Sequence, residues 1–128
     1  MRWSKLSIGV SLEILYCATI AAFFTHELDA VKRHEWRVLP LTSFLPERVG
    51  EQVFIWIHVP VFLAVFLFSQ GRLVGRFRLG LSAFAVIHVG LHWLFRKHPA
   101  YEFNNVSSWS LILLTGALGA TYLVGACL

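Results

Sequence analysis

Apolar residues gather in four long stretches, 6–24, 53–69, 79–95 and 106–128, and the polar segments between them carry nearly all the charge. A helix rises 1.5 Å per residue, so roughly 20 residues cross the hydrocarbon core of a bilayer. The second and third stretches are at the short end, and their helices are expected to extend into the flanking polar residues. The first pattern also runs on, through His26, Glu27, Asp29, Lys32 and Trp36, until Pro40, which lacks the amide hydrogen a helix interior needs. The predicted helices are therefore 6–36, 47–69, 77–97 and 106–128. No strand-type alternation competes with this pattern. The expected fold class is all-α, a four-helix transmembrane bundle forming a single integral membrane domain over 1–128, with each helix satisfying its own backbone groups in lipid.

Arg2 and Lys5 ahead of an apolar run could also open a signal peptide, but no small-x-small cleavage site follows and the helical pattern continues past the run. Between the first two helices, Pro40, Pro46 and Gly50 alternate with Leu39, Leu41, Phe44 and Leu45. This reads as a loop lying on the membrane interface, with Pro46 near the start of the second helix. One side of the predicted topology holds Arg2, Lys5, Arg72, Arg76 and Arg78; the other holds six Lys or Arg among six acidic residues. The denser short basic segments favour both termini in the cytoplasm. Trp3 fits one interface, while Trp36, Trp93 and Trp109 fit the other.

Composition agrees with a membrane chain. Hydrophobic residues make up 57% and charged residues 14%, with a mean hydropathy of +0.66, whereas soluble domains carry about 25% charged residues. A disordered chain, a disulfide-rich secreted scaffold and a free soluble enzyme are excluded. The net charge of +4 does not point to nucleic acid, because the basic residues sit at the ends of apolar runs instead of forming a patch. Cys17 and Cys127 have no disulfide or metal-type spacing. The expected partner is the lipid bilayer, with a second copy or a protein partner compatible with the bundle. The expected location is a bacterial inner membrane, spanned several times.

All six histidines fall on the same half of this topology. His26 lies at the outer end of the first helix; His58, His88 and His92 lie roughly 5–10 Å inside the outer ends of the second and third. His88 and His92 are spaced i,i+4 and share a helix face, and His26 and Asp29, spaced i,i+3, are also neighbours. Ionisable groups at membrane depth are costly and face a bundle interior or an aqueous cavity. Imidazoles with a carboxylate form the usual shell of zinc or non-haem iron. The expected metal ligands are His26, Asp29, His58, His88 and His92, with His34 as a further candidate and Glu27 or Asp29 as the catalytic base. The plain alternative for His58, His88 and His92 is helix–helix hydrogen bonding, worth about 0.6 kcal/mol each. His34 and His98, among loop charges, fit an ordinary interfacial role.

Weaker features complete the reading. Glu13 is expected to be protonated, paired with Arg76 or Arg78, or bonded to Tyr122. Pro60 should kink the second helix beside the site. Gly116, Gly119 and Gly125 give the fourth helix a small face for close packing. Glu102, Asn104 and Asn105 are candidates to cover the site from the last loop.

The stretch His26-Glu27-Leu28-Asp29-Ala30 at the end of a first membrane helix, followed by Trp36 and later histidines, resembles the small bacterial HXXEE-type membrane proteins. Asp29 stands where that motif has its first Glu, and Ala30 where it has its second. The resemblance implies a polytopic membrane fold with His26 and Asp29 at a functional site. The expected function is a small membrane metalloprotein with a divalent zinc or iron near the outer interface, acting as a metal-dependent hydrolase or oxidase on a lipid-like or apolar substrate. The alternatives are a non-enzymatic module, such as a haem-binding electron carrier using His58 with His88 or His92, a metal carrier or a sensor, and an accessory subunit whose polar cluster only fixes helix packing.

Overall fold

Long apolar runs without interior breaks become helices wherever their backbone has no water to bond, and the computed structural model describes this outcome for residues 2–128, with side chains from residue 11 onward. All regular structure among the described residues is helical: α1 (Arg2–Lys32), α2 (Glu47–Phe68), α3 (Val74–Phe95) and α4 (Val106–Cys127), with a 3-10 turn at Glu35–Arg37. Each of the four is long and apolar enough to cross a membrane, the architecture of a multi-pass membrane protein. The expected interfacial position of Trp3 and the basic side chains of Arg2 and Lys5 lie outside the described residues.

Both ends of α1 and of α3 differ from the sequence pattern, α1 beginning at Arg2. α3 starts at Val74 and ends at Phe95, shifted toward its N-terminus from 77–97. α1 stops at Lys32 instead of running to 36, because His34 adopts left-handed backbone angles, φ 53° and ψ 45°. That conformation costs a non-glycine residue of order 1 kcal/mol. It is held by the imidazole, whose Nδ1 lies 2.9 Å from Glu102 Oε2 and whose ring meets Trp36 edge-on.

α1, α3 and α4 form the packed core. Gly116 and Gly119 of α4 let the backbones approach: a Cβ on Gly119 would lie 2.7 Å from the Ser82 carbonyl oxygen and 2.8 Å from Ala85 Cβ, both on α3. The small-residue face read from the sequence is thus the α3–α4 contact, as close packing in lipid requires. At one end Tyr16 of α1 meets Tyr122 of α4, while Tyr16 Oη bonds Ser69 Oγ at 2.6 Å. Arg78 lies over the Tyr16 ring and pairs with Glu13, which settles the partner of that carboxylate in the first apolar run.

α2 stands apart from this core. It touches α1 and the 3-10 turn, where Gly50 sits under Trp36, and most of its surface, including Ile55, Trp56, Val59 and Phe66, is exposed to the surroundings. The helix is continuous through Pro60. At the histidine end Arg37 bonds Glu47 and Glu102, tying the first loop to α2 and to the last loop. Asn105 caps α4 by accepting from the Ser108 amide at 2.9 Å. Leu41 and Phe44 project outward from the first loop, 83% and 75% exposed, as side chains at a lipid interface do.

Candidate metal centre

The i,i+4 spacing of His88 and His92 aims both imidazoles from α3 at the end of α1, where His26 is fully buried. The three rings contact one another edge-on, with centroids 4.6–4.9 Å apart. His26 Nε2 and His92 Nε2 are 3.2 Å apart. The fourth member is Glu35, on the 3-10 turn, whose Oε1 lies 3.6 Å from His92 Nε2. One donor atom from each of His26, Glu35, His88 and His92 lies within 4.8 Å of the others.

The 3.2 Å and 3.6 Å separations are close to those an ion imposes. A tetrahedral site with bonds of about 2.0–2.2 Å has ligand atoms about 3.3–3.6 Å apart. The Glu35–His92 separation of 3.6 Å is too long for a hydrogen bond. His26 Nδ1 and His88 Nδ1 are buried without a partner, and an unsatisfied buried polar atom costs about 1–3 kcal/mol. As a purely structural network the group is therefore poorly satisfied. His92 is oriented from behind, with Nδ1 3.0 Å from Tyr101 Oη, the second contact that fixes the ring of a ligating histidine. Burial, with the Glu27 carboxylate next in effect, pushes Glu35 up to about 8. Burial and the nearby Glu35 carboxylate also raise Tyr101 above the ordinary phenol value, so its hydroxyl keeps its proton.

Phe103 closes the group, its ring 4.7 Å from His92 and 5.7 Å from His26. Tyr101 and Phe103, rather than the expected Glu102, Asn104 and Asn105, form the cover: Glu102 joins Arg37 and His34, Asn104 bonds the Arg96 carbonyl and Asn105 caps α4.

Of the five ligands read from the sequence, the structure brings His26, His88 and His92 together. Asp29 lies outside the group, with Oδ1 3.3 Å from Arg33 Nε and Oδ2 buried. His58 is engaged on both nitrogens, Nδ1 with the Phe54 carbonyl at 2.6 Å and Nε2 with Glu27 Oε2 at 2.8 Å. Both of its ring nitrogens are thus taken up outside the His/Glu group. His34 bonds Glu102 in the outer network. Glu27 is one residue from His26 yet points about 100° around the helix, toward α2. Glu35 was not singled out by the sequence. Its only signal was a carboxylate shortly before a helix-ending proline.

A cavity of about 400 Å³ adjoins the group, lined by Glu35, His88, His92 and Tyr101 on one side and by Glu27 and His58 on the other. In class, then, the chain is a multi-pass helical membrane protein with a His/Glu group able to hold a metal ion. It belongs to the family of unknown function DUF6713, which matches residues 12–127. That match lends no support to the HXXEE-type resemblance. No curated protein and no solved structure matches the chain.

Proposed function

We propose that this protein is a membrane-embedded metalloprotein that binds one transition-metal ion through His26, His88, His92 and Glu35. The observation that carries this reading is the set of three buried imidazoles and a carboxylate with donor atoms within 4.8 Å and two ring nitrogens unpartnered. Three nitrogens and one oxygen suit zinc, and with further positions left open they suit non-haem iron. The adjoining cavity gives the site the form of an enzyme, a metal-dependent hydrolase or oxidase whose apolar substrate arrives from the bilayer. Glu27, bonded to His58 on the cavity wall, replaces Asp29 as the group that handles protons, since Asp29 does not line the cavity.

The test is elemental analysis of detergent-purified protein, before and after equilibration with zinc and with ferrous iron. About one equivalent per chain is expected, as for a single built site. Protein that holds no metal and takes up none ends the proposal.

A further inference from the structure

α2 and α3 present facing stripes across an open gap. On α2 the stripe is Val53, Ile57, Val61 and Val65, with Phe54 and His58 beside it; on α3 it is Leu81, Phe84, Leu91 and Phe95. Both follow the three-to-four residue repeat of one helix face. The helices meet at their inner ends, where the Phe68 and Phe77 rings are 5.6 Å apart. Farther along, among the described residues, no ring contact joins them. The gap holds two cavities, one of about 400 Å³ at the histidine end and one of about 90 Å³ deeper along the helices. Both are lined by Glu27 and Phe84, so the two adjoin. The α2 stripe alone spans roughly 18 Å of helix rise. Phe23 and Phe24 of α1 wall the deeper chamber, whose lining is apolar except for Glu27.

The polar groups restrict what can lie there. The larger chamber is lined by Glu27, Glu35, His58, His88, His92 and Tyr101, and by no Lys or Arg among the described residues. Cations at this end of the helices are engaged elsewhere: Arg33 with Asp29, and Arg37 with Glu47 and Glu102. Apart from an ion held by the His/Glu group, a phosphate or carboxylate head would meet two carboxyl groups and no Lys or Arg side chain. The Glu27–His58 pair offers a better match for a neutral head. The Phe54 carbonyl only accepts, so Nδ1 of His58 holds a proton, and one further proton sits between Nε2 and Glu27 Oε2. A hydroxyl beside this pair finds both a donor and an acceptor.

We propose that the α2–α3 gap binds a single long-chain amphiphile with an uncharged head, of the fatty-alcohol class. Its tail runs along the α2 and α3 stripes, past Phe84 and into the deeper chamber, and its head lies in the larger one, beside Glu27, His58 and the His/Glu group. The gap opens to the surroundings along α2, so the ligand enters sideways from the bilayer and never crosses water. The inference rests on the metalloprotein reading for what the head faces, and on the gap itself for how the chain is held.

The test uses the full chain in detergent micelles with hexadecanol carrying a mid-chain diazirine, followed by peptide mapping of the adducts. Palmitic acid and hexadecyl phosphate with the same diazirine serve as the anionic arms, and metal content is measured on each preparation. Adducts are expected on Ile57, Val61, Phe84 and Leu91, lost on addition of excess plain hexadecanol and in Val61→Trp, whose indole fills the gap. Competition by hexadecanol gives the same reading in the unaltered protein should that variant not fold. Adducts spread evenly onto Trp56, Val59, Leu113 and Leu114, which face away from the gap, overturn the proposal. Equal labelling by the anionic probes overturns the uncharged head. Metal-loaded protein that fails to label sinks this inference alone, whereas specific labelling of protein that takes up no metal supports the gap and sinks the metal reading alone.

Discussion

His26 and His92 are 66 positions apart in the chain, yet their Nε2 atoms lie 3.2 Å apart in a fully buried setting. Neither α1 nor α3 can build this contact alone. α4 packs against both and, through its glycine face, lets α3 come close enough for the two imidazoles to meet.

Replacing His88 by Ala should abolish metal binding, because it removes one of three nitrogens from a four-donor group. His98→Ala should leave the metal in place. His58→Ala should also retain it, since His58 is bonded to Glu27 and Phe54 outside the group. Metal content per chain checks all three. Retention in His88→Ala, or loss in His58→Ala, contradicts the ligand set.

Tyr101 acts on the site through His92. Tyr101→Phe removes the hydroxyl 3.0 Å from His92 Nδ1 while leaving the ring in place. Loss of such an orienting contact lowers metal affinity about 10–100-fold. Competition against a chelator of known affinity measures this, and an unchanged affinity would mean that the packing of Phe103 alone orients His92.

Metal affinity should depend on pH through Glu35. Its carboxyl is pushed up to about 8 from an ordinary 4.5, so across that window the folded metal-free protein holds a proton that the ion must displace. Affinity should therefore rise with pH up to about 8, by at most about tenfold per unit from this group. The same shift makes Glu35's contribution to metal-free stability full below pH 4.5 and progressively lost as pH rises through about 8. Glu35→Gln should remove its share of both slopes, readable by titration and by thermal melts in micelles. Slopes identical to those of the parent protein would exclude Glu35 as their source.

Gly119 tests the packing that supports the site. A Cβ there meets the Ser82 carbonyl and Ala85 Cβ, neither of which can swing away. Gly119→Ala should cost about 1–3 kcal/mol, as overpacking does. Gly90→Ala, where a Cβ meets nothing, is the control. Equal melting of the two variants in micelles would show that the α3–α4 contact is looser than described.

The apolar runs determined the four spans, because a chain in lipid has few ways to satisfy its backbone. The i,i+4 spacing of His88 and His92 and the matching depth of His26 were equally legible, since helical geometry fixes which side chains share a face and a level. What lay beyond the sequence was the placement of α2 and the end of α1. His58 has the right depth, but α2 leans on Glu27 and Trp36 instead of joining α3, so depth alone misassigned its neighbours. Glu35 is nine residues after His26 and on an unbroken helix would project roughly 180° away. The left-handed turn at His34, held by Glu102 from a distant loop, folds Glu35 back onto the histidines. A local pattern carries periodicity and depth; a reversal held by a residue 68 positions away is decided only when the helices pack.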